Sequence, residues 1–315
     1  MKNNFINTLI ILLLLTIFIF IFAYSNDIKE NVLYAIDIWL NILIPSIFPF
    51  LLISNLLIDY NFINILSTFL GNITTKIFNL PKSATYVIIT SIFTGFPTGS
   101  KYTKDLLINN EITLDDANHL IMFSSFSNPL FVISSVGEAL LKNKTIGYFI
   151  FISHLLTGLL IGILFKRKNK SYKEHLVKNK NNKNFITNLL DSINSTFQIL
   201  INMLGIIIFF LIIIVILDKT LLGNSIFDIT IKGLIEMTSG IKNISNTNIG
   251  LRLKSSIIGF LISFSGLSVH FQVKSIIEGT KIKYKNFLLA RIIHSILCFI
   301  IIYTFFNLFC SSIPF

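Results

Sequence analysis

The chain has 315 residues, of which 53% are apolar and 13% are charged, whereas about a quarter of the residues in soluble proteins are charged. With a mean hydropathy of +0.76, this composition excludes a water-soluble fold and indicates that lipid surrounds most of the chain. The formal net charge is +11, but the basic residues flank apolar runs, so the charge indicates membrane topology rather than a nucleic-acid partner.

The first predicted element is an apolar run over residues 5–24, which follows Lys2. The run exceeds the hydrophobic region of a typical signal peptide, and no small-x-small cleavage site follows it. We therefore predict a retained transmembrane helix rather than a cleaved signal. The next loop carries a net charge of −1 and is expected to face outward. Residues 1–32 then form a helix with its N-terminus in the cytoplasm and an outward loop.

Eight further apolar segments follow, at residues 32–58, 83–96, 119–136, 146–165, 185–217, 221–237, 251–269 and 287–309. Segments of about twenty residues can cross a bilayer as helices, whereas the segment before Pro97 is too short to cross alone. The sequence therefore predicts an all-α fold, a polytopic helical protein of the cytoplasmic membrane whose surroundings are the lipid bilayer.

A basic segment divides the chain near its middle. Residues 166–183 hold eight Lys or Arg residues and one acid, Glu174. The positive-inside rule places this segment in the cytoplasm, and its Asn and Lys content is typical of a flexible linker. A lipid-binding or nucleic-acid-binding tail is the alternative. We take residues 166–184 as a basic cytoplasmic linker.

Two weak internal echoes indicate a duplication. Residues 96–112 resemble residues 264–280, and residues 43–50 resemble residues 203–210 in the same order. One unit begins after an outward loop and the other after the cytoplasmic linker, so equivalent units would enter the membrane from opposite sides. This arrangement is an inverted repeat, as in many secondary transporters.

The predicted repeats span residues 33–165 and 185–315. Four full crossings in the first would place the linker outside, so either one segment is re-entrant or residues 63–80 also cross. We favour re-entrant hairpins at the break before Pro97 and at residues 263–268, where both helices are interrupted. Non-helical backbone at membrane depth requires protein or water to satisfy its polar groups.

The break at residues 95–101 is the first candidate substrate-binding segment. Pro97 removes a backbone donor and Gly99 permits left-handed angles. Free backbone groups and the hydroxyls of Thr98 and Ser100 are then expected near Lys101. The alternative is an interfacial turn whose lysine reaches the phosphate headgroups.

The second candidate segment, residues 263–272, concentrates polar side chains beside an apolar stretch. Its candidate residues are Ser265, Gly266, Ser268, His270 and Gln272. Such a concentration is costly in lipid unless the groups meet partners or a substrate. Hydrogen bonding between helices, with a structural histidine, is the alternative.

Two further breaks interrupt apolar runs at residues 124–129 and 234–240. The first places an asparagine directly before a proline, and the second places a carboxylate at the end of an apolar span. An intramembrane carboxylate is a functional hypothesis by default, although an interfacial one needs no function. The candidate residues here are Ser127, Asn128, Pro129, Glu236, Thr238 and Ser239.

The charges of these segments favour an anionic ligand. Lys101 and His270 come from nearly corresponding places in the two units, so an inverted pair of hairpins would bring them towards one midplane cavity. Helix N-termini at the breaks add partial positive charge. In the alternative, Lys101 reaches the interface and His270 is neutral.

No catalytic or metal-binding pattern is present in the sequence. Cys298 and Cys310 form neither a CxxC pair nor a cluster with histidine, so we expect no disulfide, metal or cofactor. Nucleophile–base pairs and paired carboxylates are also absent, so we expect a protein that is not an enzyme. A membrane enzyme acting on cell-wall precursors is a minor alternative.

Five segments together resemble a known family: residues 44–50, 95–101, 126–131, 234–240 and 263–272. They are similar to the YlbJ-type sporulation integral membrane proteins, which belong with the nucleoside-recognition or Gate domains of the ferrous-iron transporter FeoB and the spore maturation proteins. The resemblance implies an inner-membrane protein needed for spore cortex formation, with sporulation proteins as possible partners. The concentrative nucleoside transporters share the broader fold and bind substrate between two hairpins and two broken helices.

The preferred hypothesis is a transporter-like protein that moves or senses a small solute at a central site formed by the four breaks. A non-transporting membrane scaffold for spore-envelope assembly is one alternative. A nucleoside transporter is another, although the predicted hairpins carry Lys101 and His270 where those transporters have acidic substrate ligands.

Overall fold

The computed structural model describes residues 2–166 and 184–310, and this part of the chain is helical without any strand. The first half contains α1 (Lys2–Ala23), α2 (Ser25–Ile38), α3 (Ile44–Asp59), α4 (Phe62–Phe78), α5 (Ala84–Thr94), α6 (Thr98–Ile108), α7 (Leu114–Phe123) and α8 (Lys144–Leu164). The second half contains α9 (Phe185–Thr220), α10 (Ile226–Ile235), α11 (Met237–Ser245), α12 (Leu251–Phe264), α13 (Gly266–Ile277) and α14 (Tyr284–Cys310). Two π-helical segments, Trp39–Leu43 and Phe131–Leu140, complete the described elements. The all-α prediction is confirmed.

Five helical stretches are long and apolar enough to cross a membrane: Ser25–Asp59, Lys144–Leu164, Phe185–Thr220, Leu251–Ile277 and Tyr284–Phe309. Large apolar side chains on these helices remain exposed, because lipid rather than protein covers them. The protein is therefore an integral membrane protein.

The N-terminal region differs from its prediction at one point. The expected outward loop after the first helix is itself helical, because α2 begins at Ser25, one residue after the turn that ends α1. The helix continues through the π-helical segment Trp39–Leu43 into α3. Pro45 lies directly after this π-helical segment, and Pro49 lies inside α3. The predicted linker cannot be compared, since residues 167–183 lie outside the described part of the chain.

Both halves of the protein contain the same four elements in the same order. Each begins with a long helix, continues with two short helices that fold back as a hairpin, then has an interrupted helix, and ends with a second long helix. Hairpin 1 is α5 and α6, and hairpin 2 is α10 and α11. Interrupted helix 1 is α7 with Phe131–Leu140, and interrupted helix 2 is α12 with α13. The two halves thus share one order of elements, with α4 as an addition to the first half, and the duplication itself stays a prediction.

The second hairpin is not where the sequence placed it. Its tip is Glu236, whereas the predicted hairpin at residues 263–268 is the break in interrupted helix 2. The arms of hairpin 2 touch through their backbones at Gly233 and Gly240, where a Cβ added to Gly240 would lie 2.1 Å from the Gly233 Cα atom. The sequence echo therefore paired a hairpin with an interrupted helix.

Several contacts define one end of the bundle, which we call the linker face because the linker starts there. Lys166 donates from Nζ to the carbonyl oxygen of Lys76 at 3.0 Å, which brings the ends of α8 and α4 together. Ser83 donates to the carbonyl oxygen of Glu111 at 3.4 Å and closes the base of hairpin 1 at this end. At the opposite face, Lys219 and Asp27 form an ion pair of 3.0 Å between the end of α9 and the start of α2.

The packing of helix α4 indicates whether residues 63–80 cross the membrane. Its middle packs on the start of α5: Ser67 donates to the Lys82 carbonyl at 3.1 Å, and Thr85 donates to Thr74 at 2.8 Å. The two helices therefore cross instead of running antiparallel, and α4 is not among the helices apolar and long enough to span. This packing favours the re-entrant hairpin over a crossing by residues 63–80.

Candidate functional site

The four breaks surround one small cavity. The tips of both hairpins and the breaks of both interrupted helices contribute to its wall, together with α9 and the chain from Leu43 to Ile47. The polar lining residues are Ser46, Ser127, Asn128, Glu236, Thr238, Ser268 and Gln272. The cavity measures about 40 Å³, which is room for a few water molecules. A solute would fit only after the hairpins or the interrupted helices move apart.

Glu236 is the charged group of this cavity. It ends α10 in an extended conformation and caps α11, where its carboxylate accepts the backbone N–H groups of Thr238 at 3.2 Å and Ser239 at 2.8 Å. The side chain is 2% exposed, and no ion pair of the described residues includes it. The positive end of α11 therefore stabilises the carboxylate in place of a basic side chain.

Asn128 holds interrupted helix 1 against two neighbouring elements. Its Nδ2 donates to the carbonyl oxygens of Ser46 at 2.9 Å and Phe93 at 2.6 Å. Its Oδ1 accepts the backbone N–H groups of Leu130 at 2.8 Å and Phe131 at 3.3 Å, which caps the following helical segment. All its hydrogen-bonding groups are used within the protein, so Asn128 fixes the wall of the cavity.

Interrupted helix 2 reverses locally at Ser265 and Gly266, which both have positive φ angles, of 79° and 67°. A Cβ at Gly266 would lie 2.9 Å from the backbone nitrogen of Met237, so hairpin 2 approaches this break closely. Beyond the break, Ser268 and Gln272 face the cavity from α13. The Oε1 atom of Gln272 is buried without a hydrogen-bond partner among the described atoms.

Lys101 does not contribute to the cavity, contrary to the prediction. Its Nζ donates to Asn55 Oδ1 at 2.9 Å and to Ser195 Oγ at 3.3 Å, between α3, α6 and α9. The rest of its segment is also used elsewhere: Thr98 bonds to Gly95 and Thr94 inside hairpin 1. A polar break does not by itself bring each of its side chains to the cavity.

His270 also lies away from the cavity. Its Nε2 faces the carbonyl oxygen of Phe264 at 3.0 Å and therefore donates, which leaves Nδ1 to accept from the Tyr284 hydroxyl at 2.8 Å. This bonding pattern is that of a neutral structural histidine that satisfies the carbonyl end of α12. Lys101 and His270 therefore do not meet in the cavity, and the geometric basis of the argument for an anionic ligand is absent from this structure.

The other candidate residues have packing roles at the breaks or lie outside the cavity wall. Gly99 permits close contact of hairpin 1 with interrupted helix 1, since a Cβ there would lie 1.6 Å from the Ser124 carbonyl oxygen. Ser100 is buried, and its hydroxyl has no partner among the described atoms. The remaining candidates that do not line the cavity are Pro97, Pro129, Ser239, Ser265 and Gly266.

The sequence analysis missed the buried arginine behind the cavity. Arg291 on α14 is fully buried. It donates to the carbonyl oxygens of Ser125 at 2.7 Å and Met122 at 2.9 Å, and at 3.5 Å to that of Ser263. It therefore satisfies the carbonyl ends of both interrupted helices, where the helix dipole is negative. A basic residue within an apolar run was the signal that could have found it.

His154 on α8 forms a second bridge between the interrupted helices. Its Nε2 accepts the backbone N–H of Ser127 at 3.0 Å, so Nδ1 carries the proton and donates to Ser263 Oγ at 2.9 Å. His294 stacks on its ring, with 4.6 Å between ring centres, and donates to the carbonyl oxygen of His154. Both histidines belong to the brace of the site and do not line the cavity.

Two hairpins and two interrupted helices thus meet at one cavity within a helical membrane protein. Residues 40–143 match the Gate family, described as nucleoside recognition. This range includes hairpin 1 and interrupted helix 1. The similarity to the Gate family therefore covers about a third of the chain.

The chain is also similar to the sporulation integral membrane protein YlbJ of Bacillus subtilis (strain 168). The two are 27% identical over 298 residues, which cover 83% of this chain and 73% of the relative. The family resemblance of the sequence motifs is confirmed. No solved structure matches the chain significantly.

Proposed function

We propose that the protein is a sporulation membrane protein of the cytoplasmic membrane that binds and moves a small solute at the central cavity. The observation that carries the proposal is the convergence of all four breaks on one cavity with a buried carboxylate. Four interruptions of membrane-embedded helices are costly, and placing them around one point is how transporters build a site from half-helices. The relative's description as a sporulation protein and the Gate match support the setting.

The polar groups of the cavity favour a solute that donates hydrogen bonds. Glu236 and the unpartnered Oε1 of Gln272 are acceptors, and no basic side chain is among the residues that line the cavity. Hydroxyl or amine groups of a neutral or cationic solute would satisfy these acceptors, whereas an anion would meet like charge. A nucleoside has such hydroxyl and N–H donors, and nucleoside recognition is the description of the matching family.

Cysteine accessibility tests the cavity directly. Ser127, Thr238 and Ser268 are changed singly to cysteine in a chain whose native Cys298 and Cys310 are replaced by serine. We expect a water-soluble thiol reagent to label all three, and a mixture of nucleosides to slow the labelling. Ser255→Cys is the matched control, because Ser255 is equally buried but lies outside the cavity wall. Labelling of none of the three lining positions would reject a solute site.

A non-transporting scaffold is the second candidate, and one observation favours it. Asn128, His154 and Arg291 form hydrogen bonds with backbone groups of the protein. Some of the polar side chains at the breaks therefore hold helices together. Under this function, Glu236→Gln and Gln272→Leu would leave sporulation intact wherever the protein remains abundant. Loss of heat-resistant spores at normal protein abundance would favour the solute site.

The orientation is part of the same proposal. The basic linker places the linker face in the cytoplasm by the positive-inside rule, and Asp27 then lies outside. Reporter fusions at Asn182 and Asp27 are expected to report cytoplasm and exterior, respectively. Both fusions on one side of the membrane would contradict the inverted arrangement of the two halves.

A further inference from the structure

A shallow groove runs between α9 and α13 on the outside of the bundle. Isoleucine side chains of both helices form much of its wall, and Asn202 and Gly205 of α9 and Ser275 of α13 line it and are exposed. Both helices belong to membrane-spanning stretches, so the groove opens sideways into the bilayer. Its cover is therefore either lipid or another membrane protein.

Three amide side chains form a stripe along this face of α9. Asn194, Gln198 and Asn202 follow one another at intervals of four residues, so they share one face of the helix. Gly205 continues the same face, and all four residues are exposed. No hydrogen bond within the described part of the chain uses the three amide side chains. We call residues 194, 198 and 202 the amide stripe.

The position of the amide stripe in the membrane makes its exposure costly. Asn202 lies at the middle of the 36 residues of α9, and Gln198 and Asn194 lie one and two turns closer to the linker face. An amide that faces hydrocarbon without a partner is unfavourable. By contrast, the exposed Asn41 of another spanning stretch donates to Asp37 of its own helix at 2.7 Å. The amide stripe therefore calls for hydrogen-bonding partners from outside this fold.

Lipid alone does not supply such partners at the level of Asn202. Acyl chains carry no hydrogen-bonding groups, and the polar headgroups lie at the membrane surface. A second helix does bring donors and acceptors to this depth, and amide and small residues are the ones that hold membrane helices together. Gly205 adds room for it, because an added Cβ would meet no described atom within 4 Å.

The amide stripe is complementary to itself. Each carboxamide both donates and accepts, and two copies related by a two-fold axis along the membrane normal place equivalent residues at the same depth. Each amide of one copy then meets its counterpart in the other. We infer that the groove between α9 and α13 is the interface with a second copy of this chain, in which the two α9 helices pair through Asn194, Gln198 and Asn202. This interface does not depend on whether the central cavity binds a solute.

Disulfide cross-linking in membranes tests the contact. The full chain carries Cys298→Ser and Cys310→Ser, and Gly205→Cys or Ile201→Cys introduces a single thiol on the paired face while keeping the three amides. We expect a copper–phenanthroline oxidant to convert both variants to a covalent dimer. Leu156→Cys is the matched control, because Leu156 of α8 is 58% exposed on a spanning helix but lies outside the groove; it should stay monomeric.

Removing the amides tests the cause of the pairing. We expect Asn202→Leu combined with Gln198→Leu to raise the Kd of the dimer at least tenfold. The Kd is measured in liposomes of decreasing protein density, by energy transfer between copies labelled through Leu156→Cys. Asn41→Leu is the matched control and should leave the Kd unchanged, since Asn41 bonds within its own helix. Gly205→Trp, which obstructs close approach of the helices, should also raise the Kd at least tenfold. A monodisperse elution profile in detergent checks folding of each variant.

Three outcomes would overturn the interface. The first is a monomer at every protein density in the liposomes, and the second is a dimer whose Kd responds neither to loss of the amides nor to Gly205→Trp. The third is cross-linking of Gly205→Cys to a different membrane protein of sporulating cells without a dimer, which would assign the groove to another partner. Each of these results would leave the labelling test of the central cavity unaffected.

Discussion

The two hairpin tips face the same cavity but are stabilised in different ways. Hairpin 1 ends in the uncharged Gly95 and Phe96, and Asn128 of the neighbouring interrupted helix holds it through the carbonyl oxygen of Phe93. Hairpin 2 ends in Glu236, whose carboxylate is held by backbone groups of its own second arm. Hairpin 1 is thus held by a side chain of another element of the same half, whereas the charged group of hairpin 2 is held within the hairpin itself.

The largest effect is expected from removing the brace. Arg291→Met leaves the carbonyl oxygens of Met122 and Ser125 buried without their donor, and each such loss costs about 1–3 kcal/mol. We expect destabilisation of about 3 kcal/mol or more, measured as a lower midpoint of thermal unfolding in detergent. Arg252→Met is the matched control, since Arg252 donates to one carbonyl near the membrane surface. Equal effects of the two changes would contradict the bracing role.

Asn128→Ala should have the next largest effect. It removes two donors and two accepted hydrogen bonds that join α3, hairpin 1 and interrupted helix 1, for which we expect about 2 kcal/mol. Asn41→Ala is the control, because Asn41 is exposed and bonds within its own helix. A loss of sporulation without any loss of stability would instead indicate that Asn128 contacts the solute.

In hairpin 2, Glu236→Gln is expected to affect function more than stability. The amide oxygen still accepts from α11, so we expect a change in stability of about 1 kcal/mol or less. The negative charge is lost, and we expect heat-resistant spores to fall at least tenfold when the variant replaces the native protein at equal abundance. Glu138→Gln is the control, since Glu138 is exposed and pairs with Lys144 at 3.7 Å. Normal sporulation of the Glu236→Gln strain would remove the carboxylate from the mechanism.

The smallest effect concerns Glu111, in the turn that closes hairpin 1 at the linker face. Burial raises the pKa of this carboxyl to about 7, above the value of about 4.3 for an unfolded chain. The folded state therefore binds more protons between these values, so stability is greatest below pH ~4.5 and declines as the pH rises through 7. We expect Glu111→Gln to flatten the dependence of the unfolding midpoint on pH. The exposed Glu278→Gln should leave that dependence unchanged.

The sequence predicted the class of fold and the helix breaks, because proline, glycine and polar residues within an apolar run usually mark a point where the helix is interrupted. Asn128 before its proline and Glu236 at the end of an apolar span are such residues, and both line the cavity. Hairpin 2 was misplaced because residues 221–237 have the composition of one span. The Gly233–Gly240 contact that folds its arms together depends on a reversal that periodicity does not show.

The sequence could not show which groups each polar side chain would bond to in the folded protein. Lys101 and His270 were expected in the cavity from their position after a break, but the direction of a side chain depends on the exact helical phase at which the break ends. Arg291 stood out as a basic residue within an apolar run, but its partners are backbone carbonyls 166 and 169 residues away in the chain. Backbone partners carry no residue-type signature, so no pattern in the sequence marks them.

The guanidinium of Arg291 also has a mechanical consequence. It is bonded to the carbonyl ends of α7 and α12 at once, and His154 joins the same two interrupted helices a second time. Relative sliding of these helices would break several buried bonds together, so we expect them to move as one body with α8 and α14. We then expect any opening of the cavity to come mainly from hairpin 2, because Asn128 bonds hairpin 1 to this frame.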